Sequence, residues 1–504
     1  MQLIEGFMAV LHPATLFLII GGVVAGIVFG AIPGLSAFTA LALFLPITFG
    51  MEPVNGIAFL IAIYVGGLSG GLISAILLGI PGTPSSIATC FDGYPMAQRG
   101  EAGKALGTAI VFSFVGGIFS ALVLTYLGPA IAGVALKFGP YEYFAVILFA
   151  LTTVSGLSAG NINKGLLSCL LGIGFSFVGI DRLSSYTRYT GGISSLAAGF
   201  NLVPLLIGTF AVSQIIDTAA KGPTSIQRAP AARVKGFGLS FREFVYQLKN
   251  AIPAAFIGLA VGILPGIGGN ASNLLAYAFC KKRSKYPEKF GTGIMDGIVA
   301  SETANNATIG GALIVLLTLV SQRYTVRTGL EQTGHLAGFQ IHSITPGPLL
   351  FKTSAALVYA LFAAFIIANL VMMVSELLGL PLFSKVLSIP GSYLLPVVIA
   401  CCFVGSFSAN NRIFDILVMV IFGLVGYILK RWEYPLAPMV VGFILAPLLE
   451  ENVRRSLMRT EGSFLPILSS PIALVFFILT AVMVVLSVRS ELKERKKKNQ
   501  ETAP

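Results

Sequence analysis

The sequence predicts an all-α integral membrane protein with about ten to twelve transmembrane or re-entrant helices. Its 504 residues are 55% hydrophobic and only 11% charged, with a mean hydropathy of +0.87, whereas soluble domains carry about 25% charged residues. Three long stretches, 105–136, 353–375 and 462–488, contain no Lys, Arg, Asp or Glu. Because a helix needs roughly 20 apolar residues to cross the hydrocarbon layer, we expect a multi-pass protein in a lipid bilayer.

A repeated motif indicates that the chain contains two homologous halves. Residues 26–36 and 258–268 both read G-x-x-x-G-x-x-P-G. A second match follows in the same order, between two sets with the same internal spacing: Leu202, Pro204 and Gly208, and Leu436, Pro438 and Gly442. Ordered matches of this kind predict a first transmembrane repeat at 1–216 and a second at 251–488.

Basic segments set the expected topology. The net charge is +12, and much of it lies in a connector at 217–250, a loop at 281–289 and a tail at 489–504. Basic loops that flank membrane spans usually face the cytoplasm, so we expect a cytoplasmic connector and tail, and no nucleic-acid partner. The first-half counterpart of the basic loop, near 49–57, carries only Glu52. This asymmetry favours inverted repeats with broken helices, a common architecture of secondary transporters.

Each predicted half contains a proline-glycine break inside an apolar stretch, Pro33 and Gly34 in the first half and Pro265 and Gly266 in the second. Proline removes a backbone hydrogen bond, and freed backbone groups in lipid are tolerated only where they face protein or a water-filled cavity. The helix that starts after such a break has a partly positive N-terminus that can hold an anion. The alternative is a kink that only aids packing. Residues after the breaks complete a predicted substrate or ion site: Ser36, Gly268, Gly269, Asn270 and Ser272.

The first half has another break, at Pro81 and Gly82. Thr83 and Ser85 place hydroxyl groups beside the open backbone, so we include all four residues in the predicted site. A loop between two spans is an equally good interpretation. The sequence Asp92-Gly-Tyr-Pro95 that follows predicts a turn, because Asp, Gly and Pro are typical turn residues.

The most polar part of the second half is the sequence Glu302-Thr-Ala-Asn-Asn306, which leads into an apolar run. An acid in such a place is costly in lipid and is a functional candidate by default, and Asn side chains offer hard oxygen ligands. We interpret Asn305 and Asn306 as ligands for the substrate or a transient sodium ion, and Glu302 as a proton or sodium site. The alternative places Glu302 in water at the membrane edge.

Nothing in the sequence indicates an enzyme. It contains no P-loop and no HExxH pattern, the two signatures that would point to nucleotide hydrolysis or zinc-dependent proteolysis. The five cysteines have no metal or disulfide spacing. We therefore predict no catalytic residues, no resident metal and no cofactor.

Taken together, these motifs resemble the large membrane subunit of tripartite tricarboxylate transporters, the TctA family. The matching segments extend over nearly the whole chain: 30–36, 75–84, 92–95, 264–270, 290–293, 302–306 and 346–348. The resemblance implies uptake of carboxylates across the bacterial inner membrane, driven by a sodium or proton gradient. It also implies two protein partners, a small membrane subunit and a periplasmic substrate-binding protein.

One segment departs from the family pattern. Relatives carry a second Gly-Ile-Pro-Gly after the run equivalent to 311–319, whereas this chain reads Val-Ser-Gln-Arg at 320–323. The charged segment 320–338 is either a local frameshift, restored by a second shift, or a divergence toward another substrate. A channel-like or non-transporting scaffold or sensor subunit, impaired by this segment, is therefore the alternative to a working permease.

Overall fold

Helices make up nearly all of the described part of this computed structural model. The described residues are 2–32, 36–79, 81–135, 138–156, 162–181, 184–220, 238–263, 268–318, 342, 344, 346–386, 391–408, 410–463 and 470–501. Within them, a two-stranded antiparallel hairpin of β1 (Gly179–Ile180) and β2 (Thr187–Arg188) is the only sheet.

The first half contributes ten α-helices: α1 (Gln2–Val10), α2 (Pro13–Ala31), α3 (Ala37–Phe44), α4 (Pro53–Leu78), α5 (Ile87–Met96), α6 (Ala102–Ala135), α7 (Pro140–Gly156), α8 (Ile162–Ser176), α9 (Leu202–Leu206) and α10 (Ser213–Ala220). The second half contributes nine: α11 (Phe241–Ile263), α12 (Gly268–Arg283), α13 (Met295–Thr318), α14 (Leu350–Thr353), α15 (Ala355–Val386), α16 (Gly391–Ser408), α17 (Ile413–Arg431), α18 (Leu436–Arg459) and α19 (Pro471–Glu501). Both counts refer to the described residues. Short 3-10 or π-helical turns adjoin them at Leu45–Gly50, Pro84–Ser86, Ala97–Glu101, Ser194–Leu196, Ile207–Val212 and Pro287–Lys289.

Six helical stretches in the described ranges are long and apolar enough to cross a membrane: Pro13–Ala31, Pro53–Leu78, Pro84–Gly133, Phe241–Ile263, Ala355–Leu382 and Ile413–Arg431. Shorter apolar helices accompany them, among them Ala37–Gly50 and Pro471–Val485. The predicted class, an all-α multi-pass membrane protein, is confirmed.

The repeated G-x-x-x-G motif forms the same contact in both halves. In the first half, Gly26 and Gly30 of α2 lie against the backbone of α4. In the second, Gly258 and Gly262 of α11 lie against the backbone of α13. A Cβ atom at any of these four positions would overlap a carbonyl oxygen of the neighbouring helix. Small residues one turn apart let two helix backbones approach closely, so the motif determines this helix pair.

The second repeated motif joins the two halves to each other. Gly208 of the first half lies against the backbone of α17 at Met419, and Gly442 of α18 lies against the backbone of α8 at Cys169. Each predicted half therefore contacts the other through the matching glycine. The boundaries 1–216 and 251–488 and the inverted orientation stay predictions.

Several predicted features lie outside the described residues. They are Pro33, Gly34, Pro265, Gly266, the segment 320–338, residues 221–237 of the connector and residues 502–504 of the tail.

Candidate functional site

The segment Gly66–Gly71 of α4 is the place where elements of both halves meet. Gly66 and Gly70 lie against the α2 backbone. Gly67 lies against Ala37, the first residue of α3. The carbonyl of Leu68 accepts a hydrogen bond from Asn305 of α13. Gly71 lies against the Thr83 hydroxyl. Four of the six residues are glycine, and this lets neighbouring backbones approach closely. The segment is fully buried, so it forms the centre of the candidate site.

The break at Pro81 and Gly82 packs against this centre. Gly79 has a φ of +68° and ends α4, a left-handed conformation that favours glycine. Gly82 is buried, and a Cβ there would overlap the carbonyl oxygen of Gly30 near the end of α2. Gly82 therefore lies inside the helix bundle.

Three hydroxyl side chains follow the break, and we call Thr83, Ser85 and Ser86 the hydroxyl cluster. All three are buried, with exposed fractions of 3%, 1% and 0%. Thr83 Oγ1 lies 3.0 Å from Ser85 Oγ and 2.9 Å from Ser86 Oγ. The Ser86 hydroxyl donates to the Thr83 carbonyl at 2.9 Å, and the Thr83 amide donates to Ser86 Oγ at 3.3 Å. The cluster satisfies its own hydrogen bonds and caps the short helix Pro84–Ser86.

Ser36 has a similar capping role. It precedes the first residue of α3, and its hydroxyl accepts a hydrogen bond from the Thr39 amide at 3.2 Å. A serine at this position satisfies one of the free amide groups at a helix N-terminus. Since Ala37 lies against Gly67, the N-terminus of α3 faces the same stretch of α4 as Asn305 does.

In the second half, α11 ends at Ile263 and α12 begins at Gly268, so Gly268, Gly269 and Asn270 form the first turn of α12. Ser272, one turn further on, is fully buried, and its hydroxyl lies 2.9 Å from that of Thr308 on α13.

Sequence reasoning missed Asn273, which connects the two halves. It is fully buried, and its amide nitrogen donates to the carbonyl of Ser85. Its Oδ1 atom has no hydrogen-bond partner within the described ranges. The one signal in the sequence was its position directly after Ser272, a predicted site residue. Its partner could not be predicted, because Ser85 lies 188 positions away along the chain.

The Glu302 carboxyl group is the ionisable centre of the site. The residue is fully buried on α13, which excludes the alternative of a water-exposed cap at the membrane edge. Thr89 of α5 donates its hydroxyl to Oε1, and Ser113 of α6 donates to Oε2 at 3.0 Å. Both donors belong to the first half, so the acid of one half is held by hydroxyl groups of the other.

Asn305 and Asn306 lie on the next turn of α13 and are also fully buried. The Asn305 amide nitrogen donates to the Leu68 carbonyl at 3.4 Å, and that of Asn306 donates to the Glu302 carbonyl at 3.3 Å. The Oδ1 atoms of both residues have no hydrogen-bond partner in the described part of the chain, and neither has the Thr303 hydroxyl. Buried oxygen atoms without donors are costly, and they are the ligands that a small cation accepts.

This group of residues, which we call the Glu302 cluster, can therefore take up positive charge. It consists of Thr89, Ser113, Glu302, Asn305 and Asn306. Across the residues that the structure describes, no Lys, Arg or His forms an ion pair with Glu302, and no three His, Cys, Asp or Glu side chains form a metal-binding group. A proton or a monovalent cation fits this donor set better than a tightly held transition metal, which would select imidazole or thiolate ligands.

The predicted turn at Asp92-Gly-Tyr-Pro95 is wrong. These residues lie within α5, which runs through Pro95. Asp92 is fully buried. Its Oδ1 accepts hydrogen bonds from the backbone amides of Gly291, Gly293 and Ile294 at 2.9, 2.8 and 3.0 Å. The Tyr277 hydroxyl donates to Oδ2 at 2.9 Å. Aspartate commonly stabilises turns by accepting hydrogen bonds from backbone amides, and here the turn lies in the second half of the chain.

Comparisons with known proteins agree with the motifs. Residues 16–441 match the family described as "Tripartite tricarboxylate transporter TctA family". An uncharacterized 52.8 kDa protein of Agrobacterium vitis, named for the TAR-I ttuC′ 3′ region, is 33% identical over 493 residues, which cover 98% of this chain and 97% of the relative. A second uncharacterized Agrobacterium vitis protein, named for the TAR-II ttuC′ 3′ region, is 32% identical over 239 residues, which cover 47% of this chain and 97% of that relative. No solved structure matches.

Proposed function

Since the chain belongs to the tripartite tricarboxylate transporter TctA family, we propose that it is the large permease subunit of a binding-protein-dependent secondary transporter. The substrate is a tricarboxylate or a related carboxylate, and a sodium or proton gradient drives its uptake across the bacterial inner membrane. The partners are a small membrane subunit and a periplasmic substrate-binding protein. One observation carries the coupling part of the proposal. It is the fully buried Glu302, held by hydroxyl groups from the opposite half, because a buried acid inside a membrane protein is a functional site by default.

The carboxylate substrate is negatively charged, and helix N-termini supply the complementary partial charge. The N-termini of α3 and α12 follow the equivalent breaks at Pro33-Gly34 and Pro265-Gly266. Ala37 of α3 contacts Gly67, and Asn273 of α12 binds the carbonyl of Ser85. We assign the substrate to the space between these two N-termini. The break at Pro81 and Gly82 supports it from the first half.

The coupling ion belongs to the Glu302 cluster. A proton or sodium ion there neutralises the carboxylate. A sodium ion also gives the Oδ1 atoms of Asn305 and Asn306 a positively charged partner. Because the donors to Glu302 come from the first half and the acid from the second, ion binding changes the free energy of the contact between halves. Alternating access then moves one half against the other around a fixed site.

Uptake in proteoliposomes tests the proposal. The chain is reconstituted with the small membrane subunit and the periplasmic protein, and citrate serves as the probe under an imposed sodium or proton gradient. We expect citrate to accumulate above its external concentration with one of the two gradients. Equilibration without accumulation would indicate a channel, and accumulation that ignores both gradients would refute ion coupling. Absence of any citrate movement, with the binding protein shown to hold citrate, would favour the scaffold or sensor alternative.

A further inference from the structure

A second glutamate is buried in the membrane-spanning part of the second half and has no role in the site described above. Glu376 lies on α15 (Ala355–Val386), within an apolar stretch long enough to span a bilayer, and its exposed fraction is 0%. The Ser69 hydroxyl of α4 donates to its Oε2 at 3.0 Å. Its Oε1 has no hydrogen-bond partner within the described residues.

Glu376 occupies the same level of the bundle as the Glu302 cluster. Ser69, its donor, follows Leu68, whose carbonyl accepts the hydrogen bond from Asn305. On α6, Gly117 lies against the Asn369 side chain of α15, and Ser113, one turn earlier, donates to Glu302. The two carboxyl groups therefore approach the α4–α6 face from α15 and from α13.

Charged groups on the neighbouring helices do not neutralise an ionised Glu376 carboxylate. The helices packed against α15 are α1, α2, α4, α6 and α14. The titratable residues of these helices in the described ranges are Glu5, Tyr64, Lys104, Tyr126 and Lys352. Lys104 pairs with Glu243 at 2.6 Å and is partly exposed, and Lys352 is exposed. Glu5 belongs to α1, which crosses α15 at Tyr359, roughly 25 Å along the helix from Glu376.

An ionised carboxylate in such surroundings would be unstable. Transfer of an unpaired charge into a low-dielectric interior is so costly that the group takes up a proton instead. A proton on Oε1 removes the charge and leaves the Ser69 hydrogen bond to Oε2 intact. A metal cation takes several oxygen ligands, whereas within the described residues one hydroxyl, that of Ser69, binds Glu376.

We propose that Glu376 is a proton-binding site, and that its protonation is coupled to the charge on Glu302, another second-half carboxyl group that contacts the first-half helices. The carboxylate at Glu376 gains a proton to become a carboxylic acid when Glu302 is charged, and it holds that proton less tightly when a cation neutralises Glu302. This inference rests on the proposed transport function only for its role in coupling. The protonated state itself is a property of the folded chain.

Infrared spectroscopy of the purified protein tests the protonated state without any transport. We expect a carboxylic-acid carbonyl band at neutral pH, in the absence of sodium, that disappears in Glu376→Gln and persists in Glu52→Gln, an exposed acid at the start of α4. Persistence of the whole band in folded Glu376→Gln would overturn the proposal. Absence of the band from the folded wild-type protein would overturn it as well, because the carboxylate would then be ionised.

Transport separates a coupling role from a structural one. We expect Glu376→Gln to lose gradient-driven citrate accumulation by at least tenfold while it retains exchange of internal for external citrate, and Glu376→Asp to recover part of the accumulation. Full accumulation by Glu376→Gln would refute the coupling role. If the wild-type protein shows the infrared band but moves no citrate, the proposed function fails and the proton site stands.

Discussion

Two polar clusters contact the Gly66–Gly71 segment, and they differ in how completely their hydrogen bonds are satisfied. The hydroxyl cluster, Thr83, Ser85 and Ser86, is buried, and its members bond to one another over distances of 2.9 to 3.3 Å. The Glu302 cluster is equally buried, but it contains an ionisable carboxyl group and leaves the amide oxygens of Asn305 and Asn306 without donors among the described residues.

This difference indicates that the hydroxyl cluster stabilises the fold and that the Glu302 cluster binds a ligand. A buried group with all its partners stabilises the fold, whereas a buried oxygen without a donor destabilises it until a ligand arrives. Both clusters follow from polar residues in apolar surroundings, so composition alone does not tell them apart. The hydrogen-bond partners do, and most of the following variants alter one cluster and not the other.

The largest effect is expected for Glu302→Gln. Loss of the ionisable group removes the site for positive charge, and we expect gradient-driven citrate uptake to fall about 100-fold or more, equivalent to about 2.7 kcal/mol. Glu302→Asp keeps the charge and should retain part of the activity. Uptake in proteoliposomes, normalised to folded protein, gives the comparison, and a Glu302→Gln protein with more than half of the normal uptake would contradict the assignment.

Asp92→Asn examines a buried acid outside both clusters whose partners are complete. The carboxylate accepts four hydrogen bonds, and the isosteric amide loses the charge that strengthens them. We expect the free energy of unfolding to fall by about 2 kcal/mol, with uptake per folded molecule within about threefold of normal at low temperature. Thermal unfolding in detergent measures the first quantity. A stable variant with abolished uptake would place Asp92 in the transport site instead.

Asn305→Ala and Asn306→Ala remove the unpaired oxygen atoms. We expect the concentration of coupling ion needed for half-maximal uptake to rise about tenfold in each, or about 1.4 kcal/mol, because the ion loses one ligand. Asn452→Ala is the matched control. Asn452 is also fully buried, donates to a carbonyl one turn earlier at 2.8 Å and has an Oδ1 without a partner in the described ranges, but it lies on α18 outside the cluster. An equal effect in the control would show that an unpaired amide oxygen is not a sign of ion binding.

The smallest effects separate two buried serines. Ser86→Ala removes a member of the hydroxyl cluster, so we expect a loss of about 1 kcal/mol in stability and uptake within about twofold of normal. Ser113→Ala removes a donor to Glu302, and we expect uptake to fall about fivefold, or about 1 kcal/mol. Uptake and thermal unfolding are measured on both proteins. The reverse pattern would mean that the first-half break, and not the Glu302 cluster, carries the ion.

Much of the fold and part of the site could be predicted from the sequence. The membrane class is confirmed, and the repeated glycine motif forms a close helix pair in both halves. The membership of the TctA family is confirmed as well. Glu302, Asn305 and Asn306 were recognisable because an acid and two amides interrupt an apolar run, and all three lie in the buried centre.

Other residues could not be found in this way. Asp92 stands in a sequence typical of a turn but lies in a helix and binds the backbone at 291–294. Asn273 directly follows the predicted site residues of α12 but was not among them, and Glu376 is the one acidic residue of the apolar helix α15. Their partners, Ser85 and Ser69, are 188 and 307 positions away along the chain.

The sequence by itself determined that the protein lies in a lipid bilayer. It also determined which helices cross the bilayer and the residues at which those helices break or approach closely. These properties depend on hydrophobicity, on glycine and on proline, which act within one or two helical turns. Only the tertiary structure decided which buried polar atoms have partners. Hydrogen bonding of a buried group depends on what the fold brings within about 3 Å of it, and at Glu302 and Glu376 those atoms come from the opposite half of the chain.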